Sequence, residues 1–363
     1  MINAIFSTRA ARIGLALNCL VACGFLAGCN KKGDVWVAGG GFLVHGTEDY
    51  ADRGTLTLAA QKPALDTQVM ILNYSQPSFL DEILSGGMAL KANQLWVPPT
   101  TGNIQVYDVS GASPFTAKTV STSNKIAIGL AQDDQFVYAS HPFDSAISIV
   151  DKSKLTVTST VTMTSGQQPT YIAKGAALYA IVGANLVKFS DTPTPVMLGS
   201  SPVDSEVSDL QVESGYIVAV SIGSDKIYVF NDDATTPNPH LWWTFTTQNG
   251  SPFRVAISKN AAVAYVTRLT GTEGNAPGFV DVLDLANKKV TAQVQVGACP
   301  APVAISRVES SGTWQDNSVL VGNQCDSTLS RIDIGSIPSS TSGPPATVNT
   351  ITLPGVPNVI ATQ

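Results

Sequence analysis

Residues 264–304 contain the pattern that decides the fold of this chain. They read Ala264-Tyr265-Val266-Thr267-Arg268, then Val280-Asp281-Val282-Leu283-Asp284, then Lys289-Val290-Thr291-Ala292-Gln293-Val294-Gln295-Val296-Gly297, and finally Pro300-Ala301-Pro302-Val303-Ala304. Apolar and polar residues alternate in these segments, and short polar stretches separate them. The pattern predicts four half-buried β-strands joined by turns.

The first of these segments recurs along the chain. Its copies are Val35-Trp36-Val37, Leu95-Trp96-Val97, Phe136-Val137-Tyr138, Leu178-Tyr179-Ala180, Ile217-Val218-Ala219, Ala264-Tyr265-Val266 and Val319-Leu320-Val321. A second segment follows each later copy and commonly ends in Asp or Asn, as in Ile147-Ser148-Ile149-Val150-Asp151. In the first repeat this counterpart is less clear, and Val69-Met70-Ile71-Leu72-Asn73 is the candidate. Repeats of about 40–50 residues with four short strands are typical of propeller blades.

A proline-led segment precedes several copies, and its last occurrence, Pro357-Asn358-Val359-Ile360-Ala361, has no strands after it. The first repeat, starting at Val35, lacks such a segment. We therefore predict an all-β, seven-bladed β-propeller that is closed by pairing the C-terminal strand into the first blade. Residues 39–68 and 271–278 exceed the repeat and are expected to be loops.

These repeats resemble the YVTN repeat of bacterial and archaeal surface or secreted propellers. Residues 139–163 read the same way as residues 264–304. The resemblance implies the propeller fold and leaves the activity open, because one fold carries many functions. Propellers of this general kind include lactonases and cofactor-bearing dehydrogenase subunits, but no catalytic residue of theirs can be matched in this chain.

The N-terminus predicts export and anchoring. Arg9 and Arg12 precede an uncharged apolar stretch, which is the pattern of a signal peptide over residues 1–28. The boundary Leu26-Ala27-Gly28-Cys29 resembles the lipobox of bacterial lipoproteins, which implies that Cys29 carries acyl chains such as palmitate. Residues 29–34 would then be a lipidated tether and residues 35–363 the propeller. Asn30 after the cysteine favours the outer membrane, facing the periplasm or the cell surface.

Composition limits the possible partners. The formal net charge is −6, and only 13% of residues are charged. No basic stripe follows the chain, which argues against a nucleic-acid partner. The remaining candidate partners are the membrane, through the lipid anchor, and a protein or glycan.

Two cysteines lie in the predicted folded body. Cys299 precedes a proline-led strand, and Cys325 follows the neighbouring first-segment strand of the same repeat. An even pair in an exported protein predicts one disulfide between them.

Four polar residues follow or end first-segment strands, where the next turn is expected to face the channel mouth. They are His141, Asp225, Arg268 and Asp326. Such a ring of charges could hold a small polar ligand, and ordinary turn chemistry is the alternative. The three histidines, His45, His141 and His240, show no metal-ligand spacing. No metal site, catalytic residue or cofactor is therefore predicted, although calcium in the channel would accompany a hydrolase.

Three functions remain open. The favoured one is a membrane-anchored lipoprotein whose propeller is a non-catalytic binding or assembly platform for a protein or glycan. An exported lactonase-like hydrolase of small molecules is the alternative. A subunit of an outer-membrane assembly machine is the third.

Overall fold

The computed structural model describes residues 33–39, 42–48, 57–61, 89–91, 94–98, 103–108, 117–270, 276–310, 313–339 and 343–362. The predicted signal peptide, Cys29 with its predicted lipid and the candidate strand at residues 69–73 all lie outside these ranges. Among the described residues, no helix has the length and hydropathy of a membrane span.

The described residues form an all-β propeller of antiparallel four-stranded sheets. Alternating β-branched and small residues build these strands, because such side chains pack well on a half-buried pleated surface. Within each sheet the strands occupy positions 1 to 4, counted from the innermost strand to the outermost.

Six sheets are each built from four strands that are consecutive in the chain. The first contains β4 (Ala89–Lys91), β5 (Gln94–Val97), β6 (Ile104–Asp108) and β7 (Ala117–Val120). The second contains β8 (Gly129–Gln132), β9 (Phe136–His141), β10 (Ala146–Asp151) and β11 (Thr156–Thr162). The third contains β12 (Pro169–Lys174), β13 (Leu178–Val182), β14 (Asn185–Phe189) and β15 (Met197–Pro202). The fourth contains β16 (Val207–Glu213), β17 (Tyr216–Ser221), β18 (Lys226–Asn231) and β19 (His240–Thr246). The fifth contains β20 (Ser251–Ile257), β21 (Val263–Leu269), β22 (Pro277–Asp284) and β23 (Lys289–Ala298). The sixth contains β24 (Pro300–Ser310), β25 (Thr313–Asn323), β26 (Thr328–Asp333) and β27 (Val348–Thr352). Short 3₁₀ turns occupy Pro142–Asp144 and Ile334–Ser336.

A further sheet is composite and joins the two ends of the chain. Its order is β28 (Pro357–Thr362), β1 (Gly33–Gly39), β2 (Phe42–Glu48) and β3 (Thr57–Gln61). The innermost strand β28 pairs antiparallel with β1, with Val37 opposite Ile360. The chain's C-terminal strand and its first strand therefore share one sheet.

The seven-bladed prediction has to be corrected in this region. Six blades, not seven, are each formed by one continuous stretch of the chain. The strands that the sequence predicted for the composite sheet were wrong. Residues 39–68 were expected to be a loop, yet β2 and β3 lie within them. Gly39 pairs with Phe42, so only two glycines, Gly40 and Gly41, separate β1 from β2. Two alternating segments only two residues apart in the sequence have the spacing of a β-hairpin, so β2 pairs with β1 and continues the sheet.

Apolar layers fill the space between neighbouring sheets. One such layer contains Tyr179, Leu186, Ile217 and Phe230, which lie in the β12–β15 and β16–β19 sheets. Comparable clusters lie between other neighbouring sheets. Burial of these side chains supplies the main driving force that holds the sheets together.

Buried hydroxyl groups add a second, repeated link between sheets. Ser140 Oγ donates to the carbonyl of Thr170 at 2.6 Å, and Ser208 Oγ donates to the carbonyl of Phe253 at 2.8 Å. Thr267 Oγ1 donates to the carbonyl of Ala301 at 3.3 Å. Each bond joins one sheet to the innermost strand of the next. These bonds fix how neighbouring innermost strands are placed around the channel.

The strand order defines two faces. Turns between positions 1 and 2, and between positions 3 and 4, lie on what we call the bottom face. Turns between positions 2 and 3, and the links from one sheet to the next, lie on the top face. The disulfide between Cys299 and Cys325 is on the top face, with a Cα–Cα distance of 5.4 Å. The predicted pairing of these cysteines is therefore present in the structure.

Candidate functional site in the central channel

The innermost strands enclose a cavity of about 400 Å³. Its lining comes from β8, β12, β16, β20, β24 and β28. It runs from the middle of the channel to the bottom ends of these strands, where Gln132, Lys174 and Glu213 lie. Its size is within the range of about 300–1,000 Å³ that is usual for small-molecule sites.

A group of three polar side chains forms the deep part of the wall, and we call it the deep polar cluster: Tyr171, Asp209 and Arg254. Arg254 lies on β20 and is 8% exposed. Its guanidinium carbon lies 4.6 Å from the ring centroid of Phe253 and 5.6 Å from that of Tyr171. Its Nη1 donates to Tyr171 Oη at 3.3 Å and to the carbonyl of Ser208. The cation is thus held against two aromatic rings, in a position fixed by hydrogen bonds.

Asp209 links two innermost strands within this cluster. Its Oδ2 accepts from the backbone N–H of Val255 at 2.9 Å, and its Oδ1 accepts from the N–H of Leu210 at 2.8 Å. Burial raises the pKa of the Asp209 carboxyl, although the positive charge of Arg254 and the backbone N–H groups act in the opposite direction. The cluster therefore presents a carboxyl group and a guanidinium side by side on the channel wall.

Charged residues at the bottom end form the mouth group: Lys174, Glu213 and Arg307. Lys174 Nζ lies 3.2 Å from Asp191 Oδ1 and donates to the carbonyl of Gly175 at 2.7 Å. Arg307 Nε donates to Asp316 Oδ1 at 3.0 Å, and its Nη2 lies 4.0 Å from Glu213 Oε2. Charges of both signs therefore surround the mouth, and no single sign dominates it.

The four residues predicted to ring the channel mouth lie elsewhere. His141, Asp225, Arg268 and Asp326 are on or beside the top face, and none of them is among the residues that line the cavity. The first-segment strands occupy position 2, so their following turns lie at the end opposite to this cavity. The role of these residues as a ligand site stays a prediction.

Hydrogen bonds within the top face engage all four of them. Ser148 Oγ lies 3.0 Å from His141 Nε2, and Ser251 Oγ donates to Asp225 Oδ1 at 2.6 Å. Arg268 forms a buried ion pair with Asp281 at 3.0 Å. Asp326 Oδ2 accepts from the backbone N–H of Ala298 at 2.5 Å, beside the disulfide. Each of the four side chains therefore has a hydrogen-bond or ion-pair partner in the top face.

One of the two charged residues of the deep polar cluster has a signal in the sequence. Arg254 lies inside a proline-led segment, Pro252-Phe253-Arg254-Val255-Ala256. A charged side chain on an innermost strand is expected to face the channel, because the spaces between blades are apolar. Asp209 has no such signal, because its strand Val207–Glu213 lacks the leading proline. In the described part of the chain, no group of three or more His, Cys, Asp or Glu residues could hold a metal ion.

The fold and the cavity together define a β-propeller with a polar central channel. No protein-family model matches the chain, and no curated protein matches it. Solved structures do resemble it. A protein from Lactobacillus plantarum superposes with a TM-score of 0.65 at 14% identity, covering 92% of this chain and 99% of that one.

Two further similar structures are provisionally assigned as 6-phosphogluconolactonases. The protein from Bacteroides uniformis gives a TM-score of 0.65 at 11% identity, covering 92% of this chain and 99% of that one. The protein from Bacteroides fragilis gives a TM-score of 0.65 at 10% identity, covering 93% and 99% respectively. At these identities the likeness establishes a shared β-propeller fold and carries no residue roles.

Proposed function

We propose that this chain is a membrane-anchored binding protein, held by a lipid on Cys29, whose central channel takes the saccharide end of a glycan without transforming it. The observation that carries the proposal is the deep polar cluster inside a cavity of about 400 Å³. The lipobox-like boundary at residues 26–29 supports the anchor.

A saccharide suits this cluster for chemical reasons. Sugar hydroxyl groups both donate and accept hydrogen bonds, so they fit a wall that offers a guanidinium and a carboxyl group together. The ring of Tyr171 adds an apolar surface for the C–H groups of a sugar. The mixed charges of Lys174, Glu213 and Arg307 at the mouth do not select for a highly charged ligand.

The hydrolase alternative is less well supported by the same residues. A hydrolase of lactones needs a group that can activate water, and Asp209 is the cavity carboxyl whose pKa is raised. Both of its oxygens, however, accept hydrogen bonds from backbone N–H groups. These bonds occupy one lone pair on each oxygen, so the carboxyl can still accept a hydrogen bond from a sugar hydroxyl. Its fixed position between β16 and β20 suits binding better than proton transfer, and binding is therefore preferred.

The test is calorimetric titration of a panel of neutral saccharides, uronic acids and sugar lactones. We expect at least one saccharide to bind, and we expect Arg254→Met to weaken its binding about tenfold or more, because a hydrogen bond to a charged group contributes about 1.5–3 kcal/mol. The matched control is the double variant Arg268→Met/Asp281→Leu, which removes an equally buried arginine outside the cavity together with its partner.

The control variant should bind like the unaltered protein. Thermal unfolding of each variant shows whether a loss of binding reflects a loss of folding. Equal weakening in both folded variants, or no binding by any saccharide, would contradict the proposal. Turnover of a lactone would favour the hydrolase.

A further inference from the structure

Exposed apolar side chains gather on one part of the bottom face. Six large apolar side chains are exposed in the described part of the chain, and five of them belong to two neighbouring sheets. We call these five the apolar rim: Val196, Met197, Leu198, Leu241 and Trp242. Their exposed fractions range from 37% at Trp242 to 59% at Val196. The sixth side chain, Phe143, lies in the turn after β9 on the top face.

The strand positions place the apolar rim at the bottom. Met197 and Leu198 begin β15, and Leu241 and Trp242 lie at the start of β19. Both strands occupy position 4 and enter their sheets from the turn between positions 3 and 4. That turn lies on the bottom face by the strand order.

Hydrogen bonds join β15 to the turn that leads into β19. The backbone N–H of Ser200 donates to Asn238 Oδ1 at 3.1 Å, and Ser201 Oγ donates to the carbonyl of Pro239. Asn238 and Pro239 lead directly into β19. The apolar rim therefore spans two blades that are fixed to each other, and it is larger than an isolated exposed side chain would be.

Lys288 gives the rim a cationic neighbour. Its Nζ lies 3.7 Å from the ring centroid of Trp242. It belongs to the turn between β22 and β23, which is also on the bottom face. The indole Nε1 of Trp242 donates to the carbonyl of Leu285 at 3.4 Å, so its polar atom is paired within the protein and the rest of the exposed ring is the part that can contact lipid. The ammonium of Lys288 can stay in the headgroup layer, as long cationic side chains do at a membrane interface.

The chain also enters the fold from the bottom face. β1 occupies position 2, so its first residue, Gly33, lies at the bottom end of its sheet. Cys29 precedes Gly33 by four residues, which is a reach of about 14 Å at most. The composite sheet that contains β1 lies across the ring from the β12–β15 and β16–β19 sheets.

We infer that the bottom face rests on a lipid bilayer, with the apolar rim inserted at the interface as a second attachment opposite the Cys29 lipid. This inference rests on the lipid anchor of the proposed function. Two attachments on opposite sides of the ring hold the face parallel to the membrane. The channel mouth then faces the headgroups, so the saccharide in the cavity would be one carried by a lipid.

The test places one fluorescent label at a time on the full-length, lipidated protein. In the mature lipidated protein Cys19 and Cys23 have left with the signal peptide, Cys29 carries the lipid, and Cys299 and Cys325 are joined in the disulfide, so Leu198→Cys supplies a single free thiol. Phe143→Cys is the matched control, because Phe143 is similarly exposed but lies on the top face. Each labelled protein is reconstituted into vesicles of phosphatidylethanolamine and phosphatidylglycerol that contain a brominated phospholipid, which quenches only fluorophores in contact with lipid chains.

We expect a loss of fluorescence for the label at position 198 and none at position 143. Equal quenching at both positions, or no quenching at position 198, would overturn the inference. No quenching at position 198 in the vesicles, together with shielding of that label from aqueous iodide in native membranes, would show that a protein covers the rim and would also overturn the inference. The intact mass of the mature protein reports separately whether Cys29 is lipidated, so failure of the anchor and failure of the rim are distinguished.

Discussion

Burial of His141 makes the free energy of unfolding depend on pH. This residue ends β9, is 0% exposed, and has Ser148 Oγ 3.0 Å from its Nε2. Burial lowers the pKa of its imidazole, and the charge of Lys125 acts in the same direction, while a backbone hydrogen bond with Ile126 and the charge of Asp144 oppose the shift without cancelling it. The ring is therefore neutral in the folded protein over a pH range in which the unfolded chain becomes protonated.

This difference predicts acid sensitivity. As the pH falls below about 6.5, the ordinary pKa of histidine, the unfolded chain binds a proton that the folded chain does not, so the free energy of unfolding falls by up to about 1.4 kcal/mol per pH unit. We expect His141→Gln to remove this part of the pH dependence. Urea unfolding at pH 7.5 and pH 5.5 measures it, and His240→Gln at an exposed position of β19 is the control. An unchanged pH dependence in His141→Gln would contradict the argument.

At the level of single residues, the sequence predicted the disulfide correctly and did not identify the residues of the cavity. Cys299 comes just before one repeated strand and Cys325 just after the next. Aligning the repeats therefore shows that both cysteines lie at the same end of one blade. Arg254 and Asp209 meet only because strands from neighbouring sheets are placed side by side, and repeat alignment contains no information on which residues then face each other.

At the level of elements, the top-face disulfide connects the link before β24 to the turn between β25 and β26. Its cysteines are 26 residues apart in the chain. Closing a loop of that length in the unfolded state predicts a stabilisation of about 3–4 kcal/mol. The backbone of Gln324 also donates to the carbonyl of Cys299 at 3.0 Å, so the two segments are held by hydrogen bonding as well.

We expect the double variant Cys299→Ala/Cys325→Ala to lose about 3–4 kcal/mol of unfolding free energy while keeping the fold. Urea unfolding monitored by tryptophan fluorescence measures this loss. The unaltered protein under reducing conditions should match the double variant. An unfolding midpoint that neither treatment changes would mean that the crosslink does not stabilise the propeller.

The strands of the regular repeats were easier to predict than those of the composite sheet. Alternating segments such as Ile147-Ser148-Ile149-Val150-Asp151 fall within observed strands, in this case β10. β2 reads Phe42-Leu43-Val44-His45-Gly46-Thr47-Glu48, where two of seven positions are glycine or histidine and the terminal Asp of the repeat is missing. Its place in the sheet depends on pairing with β1 and β3, which a search for repeated segments does not detect.

At the level of the whole molecule, the two faces differ in chemistry. The top face carries the disulfide and the buried ion pair of Arg268 with Asp281. The bottom face carries the cavity mouth, the apolar rim and the start of β1. This asymmetry is a property of the assembled ring, because the two parts of the apolar rim, residues 196–198 and 241–242, are far apart in the sequence and lie on neighbouring sheets. Because the cavity mouth, the apolar rim and the start of β1 share the bottom face, one orientation on the membrane accommodates the proposed anchor, the rim and the channel together.

The most direct measurement of this orientation is hydrogen–deuterium exchange of the lipidated protein in vesicles compared with the same protein in detergent. We predict slower exchange in vesicles for bottom-face segments at residues 190–198, 232–242 and 285–289, and unchanged exchange for top-face segments at residues 222–225, 247–250 and 324–327. Protection of the top-face segments, or the same exchange in vesicles and detergent at every segment, would contradict it.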